Sequence, residues 1–223
     1  FNPLAEIRLD GINDVDDAQV IASQFVDKES SSDSENYWNT QATRLVGALI
    51  LHVLCVEPPE RRNLGAVRDW LQEDSEVLAA ALDISPVPEA REVARSLLTK
   101  DARGRDNIIS TAVSYLKPWD SPKVRKVTSS SDFKISDIVA NPEKPFTLYL
   151  RVPSNMRTVW QPVVKVIVGQ IYRSMMHDEK IMSDGRRKRH KLGFFLDEFH
   201  SFYIPGFDSD LAEMRSYGMQ CLL

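Results

Sequence analysis

Residues 192–222 read LGFFLDEFHSFYIPGFDSDLAEMRSYGMQCL, and this stretch decides the fold class. A short apolar run ends at the acidic pair Asp197 and Glu198. The pattern over residues 208–217 predicts an amphipathic helix, which Gly218 ends before a second apolar run begins. Strand, helix and strand in this order is the alternation of a parallel α/β sheet, so both apolar runs are predicted to be strands of such a sheet.

The same alternation extends upstream. Residues 146–153 combine aromatic and β-branched side chains between Pro145 and Pro153, which predicts a strand. A regular apolar stripe over residues 156–176 predicts a long amphipathic helix after it. Residues 121–144 are polar, include three consecutive serines, and are predicted to be irregular. The C-terminal part of the chain therefore belongs to the α/β class.

The first half of the chain has a different character. Residues 37–56 carry apolar side chains at three- and four-residue steps, and two prolines directly afterwards forbid continuation of this helix. Shorter amphipathic segments follow with no convincing strand, so residues 36–119 are predicted to be all-helical. Another short helix is predicted over residues 14–26, and the Ser-rich, acidic residues 27–35 are predicted to be a linker.

Composition and charge argue against several classes of function. The 223 residues are 43% apolar and 27% charged with a formal net charge of −4, so no global positive field favours nucleic acid. Cys55 and Cys221 lack paired spacing and the four histidines lack ligand spacing, which argues against a zinc site or a disulfide framework. No apolar run reaches the ~18 residues typical of a membrane span. The basic run 186–191 is interpreted as a solvated turn, with contact to DNA phosphates as the alternative.

The acidic pair that ends the first apolar run carries the chemistry. Ligands of open parallel sheets lie at the carboxyl ends of the strands. A carboxylate such as Asp197 can hold Mg²⁺ there, usually through water, while Glu198 orients the water that attacks a γ-phosphate. From these residues alone, the alternative is that two acids end a buried strand and face solvent.

The wider context resembles the Walker B region of the type IV secretion coupling proteins, the TraG/TrwB-like conjugation ATPases. In that family an apolar strand ends in Asp-Glu, and after a helix a Tyr-Gly or Ala-Gly pair precedes the next strand, as Tyr217 and Gly218 do here. His200 departs from the family, which often has Pro at that position. Further stretches that match the family in order and spacing are residues 1–4, 17–19, 37–38, 109–116, 131–133 and 147–153.

This resemblance implies a partial RecA-like parallel sheet with an inserted all-α helical-bundle domain. The implied boundaries are residues 1–14 together with 129–223 for an incomplete nucleotide-binding domain, and residues 15–128 for an all-α substrate-recognition domain. Both ends of the chain look cut, so the sequence is interpreted as a soluble internal fragment. Its parent is expected to be anchored on the cytoplasmic side of the bacterial inner membrane.

The resemblance also implies function. The parent is expected to be a homo-hexameric ATPase that recruits effector proteins or relaxase–DNA complexes to a type IV secretion system and powers their transfer. Its expected cofactors are ATP and Mg²⁺, with Asp197 at the metal, Glu198 at the water and Arg215 reaching a neighbouring subunit's site. The expected partners include other secretion-system ATPases and inner-membrane components, with DNA also open. The motif Gly-x-x-x-x-Gly-Lys-Ser/Thr is absent from the 223 residues, so the fragment alone is expected to bind no nucleotide and to be inactive.

Two alternatives stay open. Besides the coupling ATPase, the chain is interpreted as a non-catalytic helical binding module for secretion signals or adaptors, or as part of another RecA-like DNA translocase. The acidic residues Glu73, Asp74 and Glu76 are the candidate surface for a basic or amphipathic secretion signal. The competing interpretation is that these charges only keep a loop between two helices soluble.

Overall fold

The computed structural model describes residues 1–26, 33–140, 146–177, 191–196, 204 and 207–222. Contacts divide the chain into two units, Phe1–Ser131 and Asp132–Leu223. We call the first the helical unit and the second the strand unit.

The described residues of the helical unit contain α-helices and 3₁₀ turns but no strand. The α-helices are α1 (Asp14–Ser23), α2 (Asp33–Val56), α3 (Leu64–Trp70), α4 (Ser75–Asp83), α5 (Pro88–Leu98), α6 (Ala102–Tyr115) and α7 (Pro122–Thr128), and the 3₁₀ turns are Pro3–Glu6, Pro59–Arg61 and Lys117–Asp120. The prediction that residues 36–119 are all-helical is confirmed.

Short polar side chains determine where three of these helices begin. The carboxamide of Asn63 accepts a hydrogen bond from an amide in the first turn of α3, with 3.2 Å between nitrogen and oxygen. Asp74 and Asp101 do the same for α4 and α6, each at 2.9 Å. Such caps satisfy amides that have no partner inside the helix, so the sequence itself sets these starts.

Helix α2 is the centre of the helical unit, and α1, α3, α5 and α6 all pack on it. Leu45, Leu49 and Val53 are 0% exposed, as the apolar pattern predicts. A Cβ atom at Gly47 would overlap the carboxamide of Gln19, so the glycine leaves room for this side chain of α1 against α2.

Among the described residues, Ser34–Val56 is one helix that is long and apolar enough to cross a membrane by length and composition. In its most apolar window, 61% of the helix is buried inside the structure. The core helix of a globular unit has the same properties, and the packing of four helices on α2 is of that kind.

Residues at the start of the chain are bound to the helical unit. The side-chain amide of Asn2 donates to the carbonyl oxygen of Arg62 at 2.8 Å, and its backbone amide donates to the hydroxyl of Ser131 at 2.9 Å. Leu4 is 1% exposed. The implied grouping of residues 1–14 with 129–223 in one domain stays a prediction.

The strand unit contains, among its described residues, three α-helices and a parallel pair of strands. The helices are α8 (Ile135–Ala140), α9 (Arg157–His177) and α10 (Phe207–Met214), with 3₁₀ turns at Ser154–Met156 and Arg215–Tyr217, and the strands are β1 (Leu192–Phe195) and β2 (Met219–Leu222). Leu192 pairs with Met219 and Phe195 with Leu222 in parallel register. The predicted strand, helix and strand over residues 192–222 are confirmed.

Two predictions for residues 121–153 are wrong. Residues 146–152 belong to no strand, because a strand needs a neighbour to pair with, and Tyr149 is 87% exposed. Residues 121–144 contain α7 and α8 where an irregular stretch was expected. Packing explains α7: the indole of Trp119 donates to the hydroxyl of Thr128 at 3.0 Å, and Val124 is 0% exposed.

Candidate functional site

The candidate catalytic site follows the carboxyl end of β1. The amide of Leu192 donates to the carbonyl oxygen of Gly218 at 3.0 Å, and the amide of Leu196 donates to the carbonyl oxygen of Leu222 at 2.9 Å. These two bonds lie at opposite ends of the pair, so the ladder continues up to the residue before Asp197. The carboxyl ends of both strands therefore meet at the same edge, which is where open parallel sheets bind ligands.

Asp197 and Glu198 themselves lie outside the described residues, as does His200. Their predicted roles at Mg²⁺ and at the attacking water stay predictions. Leu196 and Phe195 precede them, and the chain enters this position from a hydrogen-bonded strand.

Arg215 lies at the start of the 3₁₀ turn that links α10 to β2, and its side chain is exposed. Its carbonyl oxygen accepts a hydrogen bond from the amide of Gly218 at 3.1 Å. Gly218 has a φ of 79°, a left-handed conformation that glycine adopts without a steric cost. The glycine thus ends the helical segment as predicted, while the proposed contact of Arg215 with a neighbouring subunit stays a prediction.

A buried aromatic pair holds α10 against α9. Tyr172 and Phe207 are both 0% exposed, and their rings meet edge to face with 5.2 Å between centroids. Burial raises the pKa of Tyr172 to about 12, with the nearby Asp210 acting in the same direction. The phenol therefore stays neutral at physiological pH and has a packing role.

Cys221 lies on β2 beside α10. Its sulfur is 3.7 Å from the sulfur of Met214, which is 2% exposed. Burial raises the pKa of the Cys221 thiol, which disfavours the reactive thiolate form. Among the described residues, no group of three or more His, Cys, Asp or Glu side chains lies close enough to hold a metal ion.

The predicted acidic surface lies at the start of α4, and all three residues are exposed. Asp74 is the N-cap of the helix, with its carboxylate bound to the amide of Glu76. The carboxylate of Glu76 is 3.6 Å from the guanidinium of Arg105 on α6. The structure thus gives Asp74 a structural role that the sequence interpretation missed, although Asp followed by a helical segment is a sequence signal for it.

His52 is a core group, and two tryptophans are packed only in part. The imidazole of His52 is 4% exposed, its Nδ1 atom lies 2.9 Å from the hydroxyl of Ser85, and its ring meets Trp70 edge to face. Trp70 and Trp38 are half-buried, and the indole of Trp70 donates to Glu57 at 3.0 Å. His52 is thus a core group with a hydrogen-bonded imidazole, whereas most of the basic run 186–191 lies outside the described residues.

The fold is that of a plasmid coupling protein. The structure is similar to solved structures of TrwB, with a TM-score of 0.72 and 16% sequence identity, over 99% of this chain and 48% of the TrwB chain. One of these structures is described as TrwB in complex with ADP and Mg²⁺. At this level of identity the similarity establishes the fold.

The sequence establishes the family. The family model for type IV secretory system conjugative DNA transfer matches residues 1–223, so this chain belongs to that family. It is 27% identical over 243 residues to the conjugal transfer protein TraG of Escherichia coli, covering 100% of this chain and 37% of that protein. It is 28% identical over 201 residues to the type IV secretion system-coupling protein VirD4 of Bartonella quintana, covering 87% of this chain and 29% of that protein.

The chain thus spans about a third of the length of the relatives it matches. The motifs of the sequence indicated a resemblance to the coupling proteins, and this resemblance is confirmed. The match favours this family over the alternative of a different RecA-like DNA translocase.

Proposed function

We propose that this chain is part of a coupling ATPase that brings DNA–protein or effector-protein substrates to a type IV secretion system and powers their transfer. The family match over residues 1–223 and the TrwB-like fold support this proposal. In this proposal the parent is a homo-hexamer on the cytoplasmic side of the inner membrane, where it works with other components of the secretion system. The strand unit belongs to a RecA-like sheet into which the all-α domain is inserted.

The observation that carries the catalytic part is the ladder of β1 and β2. It ends with the bond from the Leu196 amide to the Leu222 carbonyl, directly before the acidic pair. Carboxylate oxygens at such a strand end are the donors that Mg²⁺ prefers, so the residues fit Mg²⁺-bound ATP. When bound, Mg²⁺–ATP supplies the phosphoryl group and neutralises part of its charge.

Each proposed catalytic residue has one task. Asp197 would hold Mg²⁺, and Glu198 would accept a hydrogen bond from the attacking water and orient it. Arg215, exposed on the turn before β2, stabilises the charge of the phosphoryl group in a neighbouring subunit.

The test of the catalytic proposal is Glu198→Gln in the full-length parent. Gln keeps the size of the side chain but is no base, so nucleotide binding should be retained while hydrolysis falls by about 10²-fold or more. Substrate transfer should fall with it. Glu213→Gln, an exposed acid on α10, is the matched control and should leave both unchanged. Normal transfer with Glu198→Gln would overturn the proposal.

The isolated chain provides a second test. Because the phosphate-binding motif is absent from these 223 residues, the purified chain should hydrolyse ATP no faster than a buffer blank. ATP turnover by the purified chain that disappears in Asp197→Ala would show that these 223 residues contain a complete site, which would contradict the proposal.

Substrate recognition is proposed for the helical unit, through the acidic surface of Glu73, Asp74 and Glu76. Since Asp74 caps α4, reversing all three charges would also cost about 1 kcal/mol of helix stability. The sharper variant is Glu73→Lys with Glu76→Lys, which reverses two exposed charges and keeps the cap. A basic substrate tail should bind this variant more weakly at low salt, measured by titration calorimetry.

A further inference from the structure

Helix α4 is apolar on two opposite faces. Leu78, Ala79 and Leu82 are 0% exposed and face the core of the helical unit. On the other side, Val77 is 53% exposed and Ile84, the residue at the C-cap, is 84% exposed. Their spacing of seven residues places both on one face of the helix.

Ala80 is also exposed and lies between these two residues on the same face. We call Val77, Ala80 and Ile84 the α4 stripe. Single exposed apolar residues are common on any protein, but positions i, i+3 and i+7 along one helix form a continuous strip. Such a strip is what a helix presents when it packs against another helix.

The end of the stripe is held in place by buried contacts. Ser85 follows Ile84 directly, is 3% exposed, and its hydroxyl lies 2.9 Å from Nδ1 of His52. The same hydroxyl accepts from the amide of Val87 at 3.2 Å, and the Ser85 carbonyl oxygen accepts from Arg91 at 2.6 Å. Because Ser85 is fixed in this way, Ile84 is held outward before any partner arrives, which lowers the entropic cost of binding.

Acidic residues border the stripe. Glu76 and Asp83 are seven residues apart and flank it on one side, and Glu73 precedes its first turn. Glu76 is 80% exposed and reaches Arg105 only at 3.6 Å, while Asp83 reaches Arg95 only at 3.8 Å. Contacts of this length and exposure are weak, so the carboxylates keep their ability to pair with an incoming cation.

We propose that the α4 stripe binds an amphipathic helix of a substrate protein, one with lysine or arginine beside its apolar residues. The apolar strip receives the apolar face of this helix, and the acidic border receives its basic residues. The inference rests on the proposed function, because it names the surface and the chemistry by which the helical unit recognises substrates.

The size of the stripe favours a single helix over a second copy of this chain. Three side chains offer on the order of a few hundred Å², whereas a standard interface between folded proteins buries about 800 Å² on each partner. A short helix can be held by two or three apolar anchors at helical spacing. The negative border adds selectivity for a basic helix.

The test measures binding of a labelled 18-residue Leu/Lys peptide with leucines at i, i+3, i+4 and i+7 to the full 223-residue chain. Val77→Ser with Ile84→Ser should weaken this binding at least about tenfold, and Glu73→Lys with Glu76→Lys should weaken it at low salt. Leu98→Ser is the matched control, because Leu98 is a 49% exposed aliphatic residue at the end of α5, and it should change nothing. Circular dichroism checks that all variants keep their helix content.

Several results would overturn the inference. One is equal binding of a scrambled peptide of the same composition or of a Leu/Glu peptide. Another is an equal loss in Leu98→Ser. A third is self-association of the chain in sedimentation that Val77→Ser with Ile84→Ser abolishes, which would assign the stripe to a second copy.

Transfer by the full-length parent separates this inference from the proposed function. If Glu198→Gln stops transfer and the Val77/Ile84 double variant does not, the coupling function stands and the α4 inference fails. If Glu198→Gln leaves transfer intact, the proposed function fails, while the peptide measurement still reports on the stripe by itself.

Discussion

The helical unit encloses its central helix and its largest buried ring, whereas in the strand unit the described strand pair leaves large apolar side chains open. Trp119 and Leu49 of the first unit are 0% exposed. Phe195 and Leu222 of the second are paired in parallel register, and they are 80% and 65% exposed. Parallel sheets are normally covered on both faces. The helical unit therefore supplies the partners for its own core, while the described strands present an apolar face that an α/β sheet covers with further elements.

Trp119→Ala in the helical unit should cause the largest loss of stability. The variant removes a fully buried ring that contacts Phe25 edge to face at 5.6 Å, and it leaves the hydroxyl of Thr128 without its donor. We expect a loss of about 3–5 kcal/mol in the free energy of unfolding, measured by urea denaturation. Trp38→Ala is the control of the same residue type and should cost clearly less, because Trp38 is half-buried. An equal loss in the two variants would show that the helical unit has no enclosed core around Trp119.

Phe207→Ala tests the strand unit in the same way, and its effect should be smaller. Phe207 is 0% exposed against Tyr172, but it is the first residue of an eight-residue helix that can shift to fill the space. Hydrogen exchange of peptides from α9 and α10 is the measurement. The distinction between the units would fail if α9 and α10 lost as much protection in Phe207→Ala as α2 and α7 lose in Trp119→Ala.

Asp101→Ala should cost about 1 kcal/mol, because the amide of Gly104 loses its hydrogen bond at the start of α6. Asp106→Ala provides the control, since this exposed aspartate lies inside the same helix. Surface changes of that kind stay within about 0.5 kcal/mol. Thermal unfolding of the two variants side by side decides whether the cap or the net charge matters.

Protonation of His52 should have the smallest effect on the free energy of unfolding at neutral pH and a growing one in acid. Burial lowers the pKa of His52 below its ordinary value of 6.5, so the folded protein favours the neutral imidazole. In the window just below pH 6.5 the unfolded chain binds a proton that the folded chain does not, and stability falls as the pH falls. In His52→Gln the decline between pH 7 and pH 5 should be shallower, measured by urea titrations at each pH. An unchanged slope would mean that other groups account for the whole acid dependence.

Helix starts at caps depend on neighbouring residues, whereas α7 and the run 146–152 depend on residues further away in the chain. Asn63 and Asp101 satisfy amides of their own helices, so a few consecutive residues contain the whole interaction. Helix α7 depends instead on the contact of Thr128 with Trp119 and on burial of Val124. The run 146–152 has the composition of a strand but lacks a described neighbour to pair with.

The candidate site shows the same division. The order of an apolar run, Asp197 and Glu198, a helix and Gly218 was sufficient to predict the strand pair, whereas the chemistry assigned to the two acids stays a prediction. The roles of the acidic residues at α4 were predictable only in part. Asp74 caps its own helix, but Glu76 of α4 meets Arg105 of α6, which lies far away in the chain.

The sequence by itself determined the helical and α/β character of the two parts, the helix starts at Asn63 and Asp101, the glycine at the end of the helical segment before β2, and the family. These features depend on residues close together in the chain, or on motifs in a linear order. Tertiary structure alone decided that α7 forms, that Ser85 is fixed by His52 and Arg91, and that Val77 and Ile84 face solvent while Leu78 and Leu82 do not. A helix that is apolar all round gives no sign of which face is covered, since that depends on the elements packed against it.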